Sequence, residues 1–233
     1  MNARPGRSTK PRPSEVPTDG SACVSSLRAC RDDPERVSVR VSGVLLGRVG
    51  RRAARELGVE AGTPWTRELH DALGPELERS RALAGATRLM AARDRSSAEL
   101  EQALRARGHE RDAIDGALRV LRERAVLDDG AYAKRRARSI AASKPAGRRY
   151  IESKLRAKGL GRPEIEAALD EALEGVDLHD GALRLGERAA ATMPRSLDHA
   201  AKVRRLSGRL ARRGFEPDLV RRVVLEILGP APR

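Results

Sequence analysis

Large aliphatic residues recur along this chain in pairs one helical turn apart. Leu100-x3-Leu104-x3-Gly108 returns as Ile151-x3-Leu155-x3-Gly159 and again as Leu206-x3-Leu210-x3-Gly214. An i, i+4 pair puts both side chains on one helix face, and a glycine four residues later supplies the left-handed backbone that ends the helix. The glycines lie 51 and then 55 residues apart. A second phrase, Leu127-Asp128-Asp129-Gly130-Ala131, returns as Leu178-His179-Asp180-Gly181-Ala182, also offset by 51. Two phrases sharing one offset argue for a duplicated helical unit. Units of this size stack on their neighbours and build extended surface, so the pattern points to binding before any chemistry is considered.

The rest of the chain fits around that repeat. Residues 1–35 mix Pro, Ser, Thr, Arg and Asp without period and read as a disordered basic tail. Residues 36–74 read as a small α+β leader. Val37-Ser38-Val39-Arg40-Val41 alternates as a strand does, Gly43 turns, and Val44-Leu45-Leu46 returns. Helical spacing follows from Gly47 to Gly58, and again from Trp65 to Leu73. A segment this short needs other elements to dock on. From Pro75 onward every periodic segment is helical. The pattern predicts three-helix repeats over 75–127, 128–177 and 178–233, hence a mainly α fold: an extended, curved array of repeats behind a strand-containing segment. Within the repeats the predicted helices are 77–92, one capped by Ser96 or Ser97 and running to Arg107, and one around Ile114 to Leu121; then 132–142, 148–158 and one around Ile165 to Leu173; then 182–192, about 198–213 and one around Leu219 to Ile227.

Charge narrows the partner. Lys and Arg outnumber Asp and Glu by 14, which favours polyanions or acidic protein grooves. From Gly130 to Arg162 eleven basic residues face one acid, Glu152. A solvated helix face normally mixes signs, so this unit reads as a surface awaiting an anionic partner; a composition-driven solvated surface is the alternative. The basic residues Arg135, Arg138, Arg148, Arg149, Lys154, Arg156, Lys158, Arg205, Arg209 and Arg212 form the candidate partner- or DNA-binding face. Aromatics are scarce: Trp65, Tyr132, Tyr150 and Phe215. Nucleic-acid contact would therefore run through phosphates rather than stacked bases.

Candidate chemistry is thin. His70, His109, His179 and His199 do not form a zinc-protease pattern, and neither a Walker phosphate loop nor a G-x-S-x-G elbow is present. No cofactor is expected, and the chain does not read as an enzyme. Asp128-Asp129 is a paired carboxylate open to two readings, a general base or metal ligand and a helix cap. Its partial recurrence at Asp180 favours the cap. Cys23 and Cys30 have no zinc spacing and read as ordinary thiols. No apolar run reaches the roughly 18 residues of a membrane helix, and no secretory signal is apparent, which points to a cytoplasmic protein, most simply a monomer.

These phrases resemble a known family. Arg95-Ser96-Ser97-Ala98-Glu99-Leu100, with Leu104 and Arg107-Gly108, then Leu127-Asp128-Asp129 and Tyr132-Ala133, looks like the bacterial regulatory protein RecX family. Ile151-x3-Leu155-Arg156-Ala157-Lys158-Gly159-Leu160 and Leu206-x3-Leu210-x2-Arg213-Gly214-Phe215 resemble its second and third units. The likeness runs from about residue 75 to 228. It implies tandem three-helix repeats without a catalytic site, binding to the RecA recombinase filament, inhibition of its ATPase and strand exchange, and in some members contact with DNA. The chain departs from the family pattern at Arg136 and Ala137, where the family carries an aromatic and a Val on the core face, and at Pro145-Ala146-Gly147, where it carries a Gly-Pro turn.

Overall fold

The structure, a computed structural model, describes residues 13–230; the expectation for residues 1–12 lies outside them. Its contacts divide into two compact units. One holds the residues up to Arg93 together with Leu100–Val126, the other Asp94–Glu99 together with the residues from Leu127 onward.

The first unit begins with an antiparallel sheet in the order β3-β2-β1-β4, made of β1 (Asp19–Ala29), β2 (Arg36–Val41), β3 (Val44–Gly50) and β4 (Pro64–Thr66). Ser42 and Gly43, at φ 47° and 81°, make the two-residue turn from β2 to β3, the geometry that matches the twist of paired strands. The valines of β2 alternate inward as the sequence requires, and with Val24, Val49 and Trp65 they build a core. The six-residue helix α1 (Arg51–Glu56) and the long α2 (Arg67–Ala92) follow the sheet. Leu69, Leu73 and Leu77 of α2 belong to the sheet's core, so the leader does dock on a helix. The approach is close: a Cβ on Gly47 would stand 2.9 Å from the Leu77 carbonyl oxygen.

Four expectations need correction here. Residues 19–29, assigned to a disordered tail, form β1. Its inward residues are the small Ala22 and Val24, too weak a period-2 signal among polar neighbours. Val49 lies in β3, leaving only Arg51–Glu56 helical before Gly58 at φ 61°. Trp65 lies in β4, because Thr66 is the cap of α2, its Oγ1 accepting from the Leu69 N–H. Pro75 does not break the chain: α2 passes through it, with Leu73 and Leu77 buried on either side. Burial of both leucines offsets the hydrogen bond the proline cannot donate.

α2 packs on α4 (Arg111–Glu123), which contributes Ile114, Leu118 and Leu121. α3 (Ser97–Arg105) supplies Leu100 and Leu104, and Gly85 of α2 leaves Leu104 its space. In the second unit α5 (Asp129–Ser143), α6 (Arg148–Arg156) and α7 (Arg162–Leu173) enclose one core, and α8 (Leu178–Ala191), α9 (His199–Arg212) and α10 (Pro217–Leu228) enclose another. Leu104, Leu155 and Leu210 are all 0% exposed, as are Leu100, Ile151 and Leu206. The residue after each helix-ending glycine also recurs in its place. Leu160 and Phe215 are buried. In the first repeat the position is His109, whose Nδ1 meets Glu78 of α2 at 2.7 Å. Burial works against the Glu78 carboxylate, but His109 and Arg81 outweigh it and hold the group below its ordinary range.

Candidate partner-binding surfaces

In the second and third repeats the second helix docks its glycine end on the start of the second helix before it. At the first junction Ser96 Oγ donates to the Lys158 carbonyl at 2.6 Å, and Lys158 Nζ reaches Glu99 at 2.8 Å. A Cβ on Gly159 would stand 2.3 Å from the Ala98 Cβ. Glu99 also accepts from the Ser96 N–H, closing a capping box, and from the Tyr132 hydroxyl. At the second junction the Gly147 N–H donates to the Arg213 carbonyl at 2.8 Å. The Arg213 guanidinium donates to the Pro145 and Lys144 carbonyls and lies 4.3 Å from the Tyr150 ring centre. Ser96 and Gly147 are thus equivalent, as are Glu99 and Tyr150. Counted back from the buried Leu206 as from Leu100 and Ile151, the third repeat holds Lys202 and Arg205 in these places, and its helix starts a turn earlier, at the Asp198 cap.

The paired aspartates turn out to be divided between two helices. Asp128 is the N-cap of α5, accepting from the Ala131 N–H. Asp129 instead accepts from the Ser97 N–H at 2.8 Å and so serves α3. α8 is capped by Asp177, whose carboxyl is held below its usual range by the Asp180 and His179 N–H groups, against a small burial cost. Asp180 is inside the helix, paired with Arg184. The caps Asp128 and Asp177 are 49 residues apart, and the buried Ala133 and Ala137 answer to Ala182 and Gly186 at that same offset. The shared offset of 51 for the second phrase was therefore a coincidence of letters; the connection to α9 has two extra residues. Asp128→Ala is expected to cost about 1 kcal/mol and Asp128→Asn almost nothing, since Asn caps comparably. Asp129→Ala costs a similar amount by orphaning the Ser97 amide. Denaturant midpoints check this; an Asp129→Asn protein with wild-type midpoint and lost regulatory activity would make Asp129 a functional group instead.

The basic face divides in the same way. Arg135 pairs with Asp94, Arg138 with Glu171, Arg148 with Asp170, Arg149 with Glu216, Arg156 with Glu152 and Lys158 with Glu99. Lys154 sits 5.3 Å from the Tyr150 ring centre. The middle unit's charges are therefore largely matched, mostly by acids that lie outside the run in sequence: Asp94 and Glu99 before it, Glu166, Asp170, Glu171 and Glu216 after it. The expectation of an uncompensated middle unit is corrected accordingly. Arg205, Arg209 and Arg212 differ. They line one side of α9, exposed, and among the described residues none of them makes an ion pair. Lys202 extends the row, which spans about 15 Å at 1.5 Å per residue. α9 contains no acid at all.

Arg136, at one of the two places where the family pattern has core-face residues, is exposed, and Ala137 beside it is fully buried. Trp65, Tyr132 and Phe215 are core residues and Tyr150 lies under Arg213, so the aromatics are committed to packing. Cys23 is exposed and Cys30 buried, both free thiols. Among the described residues no cluster of His, Cys, Asp and Glu is placed to hold a metal, and no helix is long and apolar enough to cross a membrane.

Comparison with known proteins agrees with this architecture. Family models for the first, second and third three-helix domains of RecX match residues 82–119, 128–169 and 177–224, together more than half of the chain. A crystal structure described as regulatory protein RecX superposes with a TM-score of 0.66 at 19% identity, covering 87% of this chain and 98% of the other. RecX from Lactobacillus salivarius gives a TM-score of 0.55 at 20% identity, covering 64% and 96%. No curated protein matches in sequence. With all three domain models in chain order on the three helical repeats, the chain belongs to the RecX family of regulatory proteins.

Proposed function

We propose that this protein is a non-enzymatic cytoplasmic regulator that binds the RecA recombinase filament as a monomer and inhibits its ATPase and strand exchange. Family membership supports the regulatory role, and the row Arg205, Arg209 and Arg212 is the observation that carries a contact surface. Three guanidinium groups without an ion-pair partner among the described residues leave a local positive field that an acidic groove relieves. Repetition along a polymer multiplies a shallow contact of this kind.

The test is an ATPase assay of the cognate RecA with the full chain titrated in. Wild type is expected to lower the rate. The Arg205→Glu, Arg209→Glu, Arg212→Glu triple variant is expected to associate about tenfold more slowly or worse, with an unchanged melting temperature. A wild-type protein without effect on the filament overturns the proposal; a folded triple variant with full activity moves the contact away from α9. The same unpaired row also favours a second reading, direct binding to DNA phosphates. That reading requires DNA binding without RecA, falling steeply with salt.

A further inference from the structure

The two repeat junctions differ at one place. At the first, Asp94 and Arg135 form an ion pair of 2.9 Å. Counting from the equivalent residues Ser96 and Gly147, the counterpart of Asp94 is Pro145. Counting from the caps Asp128 and Asp177, the counterpart of Arg135 is Arg184. Pro145 and Arg184 both line a groove of about 220 Å³ at the second junction. The carboxylate that the preceding repeat supplies at the first junction is missing here, and Arg184 turns back to Asp180 one turn away, its side chain still 60% exposed. Leu173, Leu178 and Phe215 give the groove an apolar lining, and Val176 stands in it 47% exposed. Lys144, on the same wall, makes no ion pair among the described residues. Asp177 also lines it; its carboxylate accepts from the amides of its own helix and lies within the field of Arg184, without an ion pair to it among the described residues.

We propose that this groove binds an acidic segment of the recombinase subunit in which a carboxylate neighbours an apolar side chain. The carboxylate takes the place against Arg184 and Lys144 that Asp94 takes at the first junction. The apolar side chain covers Val176 and enters the lined space. Charge complementarity selects the occupant: Lys144 makes no ion pair among the described residues and Arg184 holds only an exposed pair within its own helix, so neither meets a carboxylate from the preceding repeat, and an apolar lining alone would not distinguish partners.

The inference rests on the proposed binding to the RecA filament, and one experiment separates the two. Filament binding by the full chain is measured for wild type, Pro145→Asp, Pro145→Asn and Val176→Asp, with thermal melts. Pro145→Asp restores an intrachain carboxylate opposite Arg184, and is expected to weaken binding about tenfold, an effect typical of a lost charged contact, without lowering the melt. Pro145→Asn controls for loss of the ring and is expected to bind like wild type. Val176→Asp, at an exposed position, is expected to weaken binding similarly, and carries the test if Pro145→Asp is destabilised. Wild-type binding together with undiminished binding by the folded Asp variants overturns the groove and leaves the proposed function standing. Equal losses in Pro145→Asp and Pro145→Asn, with Val176→Asp unaffected, overturn it as well. Failure of wild type to bind overturns both.

Discussion

Leu155→Ala is expected to lower stability by about 2–5 kcal/mol, and Leu104→Ala and Leu210→Ala by comparable amounts. The three leucines hold the same place in their repeats and are all 0% exposed. Each sits one turn after another fully buried aliphatic, Leu100, Ile151 or Leu206; Leu155 and Leu210 lie in the cores their repeats enclose, and Leu104 fills the space beside Gly85 of α2. Truncation removes the transfer energy of the side chain and leaves a void that rigid helices only partly close. On a chain of this size the melting temperature falls by on the order of 10 °C. Thermal melts of the three variants decide the matter. Wild-type melts for all three would mean that the repeat register is wrong.

Gly214→Ala is expected to be nearly as damaging, for a different reason. Gly214 has φ 75°, and a Cβ there would stand 2.0 Å from the Tyr150 backbone nitrogen. Backbone strain for alanine in the left-handed region costs about 1–2 kcal/mol, and the forced separation of packed backbone adds about 1–3 kcal/mol. Gly108 provides the internal control. It occupies the same place in the first repeat at φ 82°, yet a Cβ there meets nothing within 4 Å. Gly108→Ala therefore carries the strain alone. Denaturant titration of both variants isolates the junction: equal losses would mean that the close approach at Gly214 contributes nothing.

The helical repeats were legible because their signal is redundant. Two buried aliphatics and a left-handed glycine recur together, and each constrains the other two. β1 was not, because its inward positions are Ala22 and Val24 and its partners lie in later sequence. α2 was hidden by Pro75, whose local cost is outweighed by burial of Leu73 and Leu77 that only the sheet provides. The charge balance of the middle unit was hidden for a related reason. Counting charge within a window treats a helix as isolated, whereas Arg138 and Lys134 find Glu171 on another helix and Arg149 finds Glu216 beyond the repeat. The row on α9 differs because its own helix holds no acid and, among the described residues, no other element brings one into an ion pair with it. The aspartate phrase misled for want of structure altogether: similar letters at 127–131 and 178–182 begin their helices two residues out of step.

Arg205 has a consequence for how such a protein can lengthen. Glu99 and Tyr150 grip the basic residue that ends the next unit's second helix; at the same place in the third repeat, one residue before the buried Leu206, stands Arg205, itself a base. A further unit whose second helix ended in Lys or Arg would meet like charge there instead of an acid or a ring. A unit copied between the existing ones would bring both halves of the contact with it.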